Sequence, residues 1–475
     1  MFRKYILVVC VMSLLSCKVA KKQNFVFILV DDMGWNDLGY AGSTFYETPN
    51  IDALSKVGVQ FTDAYASASI CSPTRASILT GKHPARVHIT DWIPGDDNQD
   101  KKLLGPKDLD ALPLEEVTIA EVLKQNGYST FFAGKWHLGD KGLLPQDQGF
   151  DGNLGGYHMG QPPGGYYVPY KNPYLPDGPE GEYLTDRLTN ESIKFLDTIK
   201  KDKPFLLYLS YYTVHTPIQA NTKYVDKFKQ KLKTMDSLAP TDRKEGTAIT
   251  KIVQRNPEYA SMVYALDENV GRLIQKLKDE GLYENTTIIF TSDNGGLTTI
   301  EAGLNYDRPT SVVPLRGGKG WLYEGGIRVP LLIKPAHYNS VARVVSEPVI
   351  SHDFFPTMLA LANSTSEKNM EIDGVNLVPL LTGNKINRKE IFWHYPHYHA
   401  SGWTPGAAIR QGDWKLIEFY ETGIVELYNL SEDISEENNL ASKYPERVTS
   451  LKQRLHELQE SMNASKATLN SNFKK

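Results

Sequence analysis

The chain has 475 residues and a formal net charge of −4, with 41% hydrophobic and 23% charged residues. This composition is that of a globular protein with enough length for a large core and a second domain. The nearly balanced charge gives no indication of a nucleic-acid partner or of binding to an anionic membrane surface, so we expect no nucleic acid.

The amino terminus is typical of an export signal. A basic start at Arg3 and Lys4 precedes a short apolar run over residues 5–15, which is too short to span a membrane as a stable helix. The run ends in Leu-Leu-Ser-Cys17, which resembles a bacterial lipobox. Residues 1–17 are therefore predicted to be a lipoprotein signal peptide, with Cys17 lipidated as a membrane anchor. The alternative is an ordinary signal peptide with an incidental cysteine.

The cysteine content directs attention to one residue. The chain has three cysteines, Cys10, Cys17 and Cys71, and the first two belong to the predicted signal peptide. An exported protein with a single remaining cysteine has no structural disulfide, so Cys71 needs another explanation.

Four apolar segments predict strands that are buried on both faces of a parallel sheet. They cover residues 24–30, 128–133, 205–210 and 286–291. Amphipathic segments between them, such as residues 262–277, predict helices. This alternation favours an α/β fold with a largely parallel sheet. Two further stretches, 149–183 and 223–255, are predicted to be a surface excursion and a solvated insertion.

The segment from Cys71 to Gly81 predicts a helix whose first turn can hold an anion. Pro73 suits the first turn, and Ser72 can act as the N-cap. Cys71 then lies where free amides and the helix dipole favour negative charge, and Arg75 lies on the same face four residues on. The alternative is an ordinary helix start with a small buried cysteine.

Polar side chains follow each predicted strand. The residues are Asp31 and Asp32 after the first strand, Lys135 and His137 after the second, His215 after the third, and Asp293 and Asn294 after the fourth. In open α/β sheets, ligands bind beyond the carboxyl ends of the strands. Carboxylate and amide oxygens suit a hard cation such as Ca²⁺ better than zinc. Taken singly, each histidine is equally compatible with an ordinary buried position.

The character of the sequence changes after residue 383. Short strands near residues 408–410, 414–417 and 426–430, followed by a helix over 444–462, predict a small α+β unit. We assign residues 24–384 to the main domain and residues 385–475 to this C-terminal subdomain.

The motif Cys71-x-Pro-x-Arg75, followed by Ala-Ser-Ile-Leu-Thr-Gly, resembles the signature of the formylglycine-dependent (type I) sulfatases. Segments in the same order as the family's motifs, at residues 30–34, 134–139, 291–295, 319–326, 373–377 and 414–416, extend the resemblance over nearly the whole mature chain. It implies an alkaline-phosphatase-like sandwich around a large, mostly parallel sheet, with the main domain as the catalytic sulfatase domain.

The resemblance also implies a mechanism. A maturation enzyme would oxidise Cys71 to formylglycine, an aldehyde whose hydrate is the nucleophile. One Ca²⁺ would be bound by Asp31, Asp32, Asp293, Asn294 and modified Cys71. The remaining roles would be Arg75 for holding the hydrate, Lys135 and Lys319 for the sulfate oxygens, His137 for releasing the enzyme-bound sulfate, and His215 for protonating the leaving alcohol.

The substrate is less clear from the sequence. A lipidated, exported sulfatase suits the degradation of sulfated oligo- or polysaccharides in the periplasm or at the cell surface of a Gram-negative bacterium. Carrageenan, ulvan and glycosaminoglycan oligosaccharides stay open. Trp92, His158 and the cluster at residues 393–399, in particular His394 and His397, are candidate sugar contacts, with packing roles as the alternative. We also expect walls from the 149–183 stretch and the C-terminal subdomain to favour a terminal sugar.

Two other functions compete with this interpretation. One is a phosphoester or phosphonate monoester hydrolase of the same superfamily, and the Cys-x-Pro-x-Arg motif with a single cation set argues for sulfate instead. The other is an inactive glycan-binding lipoprotein, and the intact Lys, His and Asp set argues against it.

Overall fold

The computed structural model describes residues 22–96, 99–200, 202–235, 240–337, 342–365 and 370–473. The predicted signal peptide, with Cys10 and Cys17, lies outside the described residues. Within those ranges no helix has both the length and the apolar character needed to cross a membrane.

The strands follow one another in this order: β1 Asn24–Val30, β2 Val59–Phe61, β3 Ala64–Tyr65, β4 Leu103–Leu104, β5 Ser129–Gly134, β6 Gly152–Leu154, β7 Phe205–Ser210, β8 Asp242–Glu245, β9 Ala248–Lys251, β10 Thr286–Ser292, β11 Thr299–Glu301, β12 Leu331–Lys334, β13 Arg343–Val345, β14 Val349–Ile350, β15 Ile391–Tyr395, β16 Gly406–Gln411, β17 Trp414–Phe419, β18 Val425–Asn429 and β19 Thr468–Leu469.

The α-helices are α1 Pro49–Ser55, α2 Cys71–Thr80, α3 Pro84–Val87, α4 Ile119–Gln125, α5 Leu184–Thr198, α6 Val225–Leu232, α7 Pro257–Asp279, α8 Glu324–Ile327, α9 Phe354–Leu361, α10 Val378–Leu381 and α11 Pro445–Ser461.

A large mixed sheet organises the main region. Its eight strands have the order β13-β2-β12-β10-β1-β7-β5-β6. The adjacent strands β10, β1, β7, β5 and β6 all run parallel to one another, whereas β12 is antiparallel to both β10 and β2. The four strands predicted from apolar runs are β1, β5, β7 and β10, and they are adjacent and parallel, so their carboxyl ends share one edge.

Helices cover both faces of this sheet. In β1, Val26 and Ile28 pack in one hydrophobic cluster with α5 and α7, while Phe25 and Phe27 pack in a second cluster with α2, α4 and α9. Because side chains alternate across a strand, a continuous apolar run is needed to fill both clusters. The result is an α/β/α sandwich.

Two stretches predicted to be solvent-exposed are more ordered than expected. The 149–183 stretch contributes edge strand β6, and four of its tyrosines, Tyr157, Tyr166, Tyr170 and Tyr183, are buried. The 223–255 stretch contains α6 and the hairpin β8–β9, which β11 extends. Buried aromatic rings hold the first stretch in place. Pairing of β9 with β11 holds the second. The local composition of both stretches favours loops.

The C-terminal part has an antiparallel sheet of order β15-β16-β17-β18, with α11 packed on it. A shared apolar cluster joins this sheet to the main region, with Tyr65 and Trp321 on one side and Trp393 and Ile417 on the other. The tail strand β19 leaves this unit and pairs with β4. The predicted division at residues 384 and 385 stays a prediction.

Candidate active site

The carboxyl ends of the four parallel strands bring together the polar residues that follow them. Asp31 and Asp32 follow β1, which lies between β10 and β7, and Asp293 follows β10. Asp32 and His137 both adopt left-handed backbone conformations, with φ of 58° and 60°. Non-glycine residues adopt this conformation at an energetic cost, and such strained positions concentrate at functional sites.

A glycine makes the turn after β5 possible. A Cβ atom on Gly134 would lie 1.8 Å from the Ser210 carbonyl oxygen, and its φ is +107°. Only glycine fits here, so the chain can turn closely against β7 before Lys135, whose N–H donates to the Ser210 carbonyl.

Six charged side chains form a buried group that we call the strand-end cluster: Asp31, Asp32, Asp293, Arg75, Lys135 and Lys319. None is more than 9% exposed. Lys135 Nζ lies 2.8 Å from Asp31 Oδ2, and Lys319 Nζ lies 2.7 Å from Asp32 Oδ1. Charges this deeply buried are tolerated because each has an opposite partner in hydrogen-bonding reach.

Arg75 is fixed by several partners. Its Nε and Nη2 donate to Asp293 Oδ2 at 2.9 and 2.7 Å, and its Nη1 donates to the Lys135 carbonyl and to Ser210 Oγ. Such a bidentate contact holds the guanidinium plane in one orientation. Arg75 therefore links α2 to the ends of β5, β7 and β10.

The pKa values of Asp31 and Asp32 shift in opposite directions. Burial, reinforced by the neighbouring charges of Asp293 and Asp32, raises the pKa of Asp31 to about 8 despite Lys135. Burial also opposes ionisation of Asp32, but attraction to Lys319 and His215 outweighs it and lowers its pKa. The two aspartates thus mark a place where negative charge is crowded and where added positive charge would be stabilised.

Cys71 is the first residue of α2 and is only 3% exposed. Its Sγ lies 3.8 Å from Asp31 Oδ1. Burial raises the pKa of the thiol to about 11, so the side chain stays protonated at neutral pH and is a weak nucleophile as a cysteine.

The predicted capping role of Ser72 is wrong. The N-cap is Ile70, and no side chain of a described residue caps this helix. Ser72 lies inside the first turn, where its Oγ donates to the His137 carbonyl at 3.1 Å and accepts from the Ile93 N–H at 3.2 Å. The serine therefore ties the start of α2 to two neighbouring segments of the site.

The strand ends also offer a set of metal ligands. Single ligand atoms of Asp31, Asp32, Cys71 and His215 lie within 4.8 Å of one another. Asn294 Nδ2 donates to Asp32 Oδ1 at 2.8 Å, while its Oδ1 is buried and accepts from no described residue. An unsatisfied buried amide oxygen beside crowded carboxylates fits a divalent cation.

The two histidines predicted at the site have defined tautomers. His137 Nε2 lies 2.8 Å from the Ile93 carbonyl oxygen and must donate to it, while its Nδ1 is buried without a hydrogen-bond partner among the described residues. His215 Nδ1 donates to the Thr216 carbonyl at 2.8 Å, and its Nε2 lies 3.7 Å from Asp32 Oδ2. Each ring therefore presents one basic nitrogen to the site.

These residues open into a cavity of about 370 Å³, which we call the inner cavity. It is lined by Ile70, Cys71, Trp92, Ile93, Pro94, His137, His158, Met159, Gly160, Gln161, His215, Lys319 and His399. Trp92 and His158 thus lie where the sequence placed candidate contacts. Gly160 packs on the ring of His137, because a Cβ atom there would lie 2.5 Å from Cε1.

His394 and His397 do not reach the inner cavity, which corrects their prediction as sugar contacts. His394 lies on β15, where it is 3% exposed and its Nε2 donates to the Ser465 carbonyl at 2.8 Å. His397 lies behind the cavity wall, with Nε2 2.8 Å from Thr90 Oγ1. Both rings are buried because the strand and the turn after it are covered on both sides.

His399, the last residue of the candidate cluster at 393–399, is the histidine of that cluster that lines the cavity. Its Nδ1 accepts from the Ser401 N–H at 3.1 Å, and burial together with Lys319 lowers its pKa to about 4. The ring is therefore neutral with its proton on Nε2. The only local signal is a histidine-rich run, which does not tell which of its rings faces the site.

The arrangement suits chemistry on an anion. Lys319 and the first turn of α2 lie beside Cys71 and two histidines that can accept protons. Buried cations of this kind stabilise negative charge that moves during group transfer.

Comparisons with known proteins agree with this geometry. A family model described as Sulfatase matches residues 23–364, and a second, described as N-sulphoglucosamine sulphohydrolase, C-terminal, matches residues 318–461. Arylsulfatase A of Homo sapiens is 32% identical over 494 residues, which cover 92% of this chain and 87% of that protein. A sulfatase of Formosa agariphila is 30% identical, with 90% and 86% covered.

The fold also matches solved structures. The crystal structure of Ps i-CgsB in complex with k-i-k-neocarrahexaose has a TM-score of 0.74 and 30% identity, and it covers 96% of this chain and 95% of that chain. A phosphonate monoester hydrolase of Agrobacterium radiobacter, 20% identical with a TM-score of 0.63, shares the fold. The expected alkaline-phosphatase-like fold is confirmed.

Proposed function

The chain belongs to the sulfatase family and hydrolyses sulfate esters, and we propose that its substrates are sulfated carbohydrates. The observation that carries the proposal is the inner cavity, whose lining combines Cys71 at the start of α2 with Lys319 and Trp92. A cation and an aromatic side chain in one cavity suit a sugar ring that carries a sulfate group. The similar protein Ps i-CgsB was solved with a neocarrahexaose.

The proposed nucleophile is formylglycine formed from Cys71. The thiol itself is unsuited to attack an anion, because its pKa is about 11 in this buried position. Oxidation by a maturation enzyme would convert the side chain to an aldehyde, which adds water to give two hydroxyls. One hydroxyl gives up its proton as its oxygen bonds to sulfur, the bond from sulfur to the alcohol oxygen breaks, and the alcohol leaves with a proton donated by His215. The second then loses its proton, the C=O bond re-forms, and sulfate departs.

The proposed metal is one Ca²⁺ held by Asp31, Asp32, Asp293 and Asn294, together with an oxygen of modified Cys71. The donors are oxygen atoms, which favour calcium over zinc. The unsatisfied Oδ1 of Asn294 supports this assignment. Bound calcium would supply positive charge that stabilises the sulfate oxygens.

The remaining residues act through atoms that the structure defines. Arg75 would hold the hydrate in place from its fixed position on Asp293. Lys135 and Lys319 would bind sulfate oxygens. His137 has a buried, unsatisfied Nδ1 that can take the proton from the second hydroxyl. His215 has its basic Nε2 beside Asp32, and the negative charge of a bound ester favours the protonated form that donates to the leaving alcohol.

The cellular setting rests on the sequence of the signal segment. Residues Leu14 to Cys17 support an exported lipoprotein, anchored through lipidated Cys17 in the periplasm or at the cell surface. Replacing Cys17 with Ala should release the protein from the membrane fraction. A wild-type protein that is already fully released, with an unmodified terminus, would contradict the anchor.

The function is tested by measuring released sulfate with ion chromatography. The protein is co-produced with a maturation enzyme, and the mass of the peptide spanning residue 71 confirms the aldehyde. The panel comprises carrageenan, ulvan and glycosaminoglycan oligosaccharides, the intact polymers, and a phosphate monoester. We expect sulfate from the terminal sugar of oligosaccharides. Equal rates on internal polymer positions would refute terminal action, and faster turnover of the phosphate ester would favour the phosphoesterase alternative.

A further inference from the structure

A second cavity adjoins the inner cavity and has a different chemical character. It has a volume of about 380 Å³ and shares His399 with the inner cavity. We call it the outer cavity. Phe473, which is 39% exposed, gives it an aromatic wall, while Tyr398 and Trp403 border it but are largely buried. Because His399 borders both cavities, the two lie next to each other.

The charges of the outer cavity do not suit a second sulfate. Among the described residues, its walls carry two lysines, Lys101 and Lys102, against three carboxylates, Asp96, Glu301 and Glu421. Lys102 Nζ already donates to the Glu421 carbonyl at 2.9 Å. An excess of carboxylates repels an anionic group, and such repulsion discriminates among ligands as strongly as attraction does.

The same walls suit an uncharged sugar. Carboxylates accept hydrogen bonds from hydroxyls, lysines donate to them, and aromatic rings cover the apolar faces of a sugar ring. His399 adds a neutral donor at the boundary, because its Nδ1 accepts from Ser401 and its proton is on Nε2.

Hydrogen bonds from the C-terminal tail hold the wall of the outer cavity in place. Asn470 is 7% exposed, and its Nδ2 donates to the carbonyls of Gln99 and Lys101, both at 2.8 Å. Its N–H donates to the Lys102 carbonyl at 3.0 Å. One buried asparagine therefore positions the loop that carries both lysines. Phe473 lies three residues later on the same tail.

We propose that the outer cavity is a binding site for an uncharged sugar residue linked to the sulfated sugar in the inner cavity. This inference rests on the proposed function and deepens it, since it specifies the substrate as an oligosaccharide whose neighbouring residue carries no sulfate. The outer cavity contributes to binding and leaves the chemical step unchanged.

The test compares three defined substrates of the matured enzyme. They are a sulfated monosaccharide with the sulfate position found in the panel above, a disaccharide that links it to an unsulfated hexose, and the same disaccharide with sulfate on both residues. We expect the singly sulfated disaccharide to have a KM about tenfold below that of the monosaccharide, with similar kcat. A tighter-binding doubly sulfated disaccharide would overturn the proposal.

Two variants test whether the outer cavity causes the difference in KM between the disaccharide and the monosaccharide. Phe473→Ala should remove the KM advantage of the disaccharide and leave the monosaccharide unaffected. Leu469→Ala is the matched control, because Leu469 lies on the same tail, is 76% exposed and does not line the cavity. Equal effects of Phe473→Ala on both substrates, or none on either, would refute the outer site. Failure to release sulfate from any substrate would instead refute the proposed function.

Discussion

Two buried groups of charged residues in this molecule have equal numbers of carboxylates and of cations but different surroundings. The strand-end cluster contains three carboxylates and three cations. A second group, which we call the junction cluster, contains Asp63, Glu324 and Glu436 with Arg328, Arg410 and Lys415, and none of these is more than 9% exposed either. It connects β3 and α8 of the main region to β16 and β17 of the C-terminal sheet.

The junction cluster is closed by mutual contacts. Lys415 Nζ lies 2.8 Å from Glu324 Oε1 and 2.9 Å from Glu436 Oε1. Asp63 accepts from Arg328 and Arg410, each at 2.7 Å. Glu436 Oε1 makes no regular hydrogen bond among the described residues, but its ion pair with Lys415 compensates its charge. The strand-end cluster instead borders the inner cavity, and next to it lie two buried polar atoms with no partner among the described residues, Asn294 Oδ1 and His137 Nδ1. The comparison indicates that unsatisfied atoms beside a cavity, and not buried charge itself, mark the functional cluster.

The largest expected effect is at Cys71. Cys71→Ala should lower sulfate release by at least about 1000-fold, because it removes the proposed nucleophile. The thermal midpoint should stay close to that of the wild type, since the thiol makes only one weak contact, with Asp31. Activity near the wild-type level in this variant would exclude the formylglycine mechanism.

A matched pair of aspartates separates the clusters by metal content. Asp293→Asn should lose bound calcium and more than about 100-fold of the activity, because a proposed ligand loses its charge. Asp63→Asn removes the same charge from the junction cluster and should keep one calcium per chain. Elemental analysis of both variants is the measurement, and equal calcium in the two would contradict the assignment.

A matched pair of lysines separates the clusters by stability. Lys415→Met should lower the free energy of unfolding by about 3–5 kcal/mol, because it leaves buried Glu436 without its cation and Glu324 with Arg328 as its remaining ion-pair partner among the described residues. Its kcat should be that of the wild type. Lys319→Met should show a large loss of kcat and a smaller loss of stability in calcium. Urea unfolding and kinetics under the same conditions distinguish the two, and a reversed pattern would refute the comparison.

The smallest expected effect is on how the free energy of unfolding depends on pH. Burial opposes ionisation of Glu324, but Lys415, Arg328 and Arg410 outweigh it and lower its pKa to about 2. Since the unfolded value is about 4.5, this stabilisation is present above pH 4.5 and is lost as the pH falls towards 2, by at most about 1.4 kcal/mol per pH unit. Urea titrations from pH 6 to 3 should show a shallower decline for Glu324→Gln. An unchanged slope would exclude this residue as a cause.

Most of the sheet could be predicted because its central strands are continuous apolar runs. The strand at 205–210 has the predicted bounds, and the parallel arrangement follows from the alternation with helices. The approach to the site could not be predicted in the same way. His399 lines it while His394 and His397 do not, and this depends on the turn after β15, which local composition does not determine.

The junction cluster was also outside the reach of sequence reasoning. Lys415 lies in a segment that resembles a family motif, but its partners Glu324 and Glu436 come from distant parts of the chain. A lysine on a predicted strand is normally solvent-exposed. Only tertiary structure shows that this one is fully buried.

The pairing of β19 with β4 has a consequence for the order in which the protein folds. Asn470 holds the loop at Gln99 across 371 positions of sequence, so one wall of the outer cavity is completed by a segment that is very distant in the chain. Contacts between such distant segments form late in folding. Removing the segment from β19 to Phe473 would keep the large sheet, since that segment pairs only with β4 among the described strands. The outer cavity would then lack one wall, and the proposed neighbouring sugar would bind less tightly.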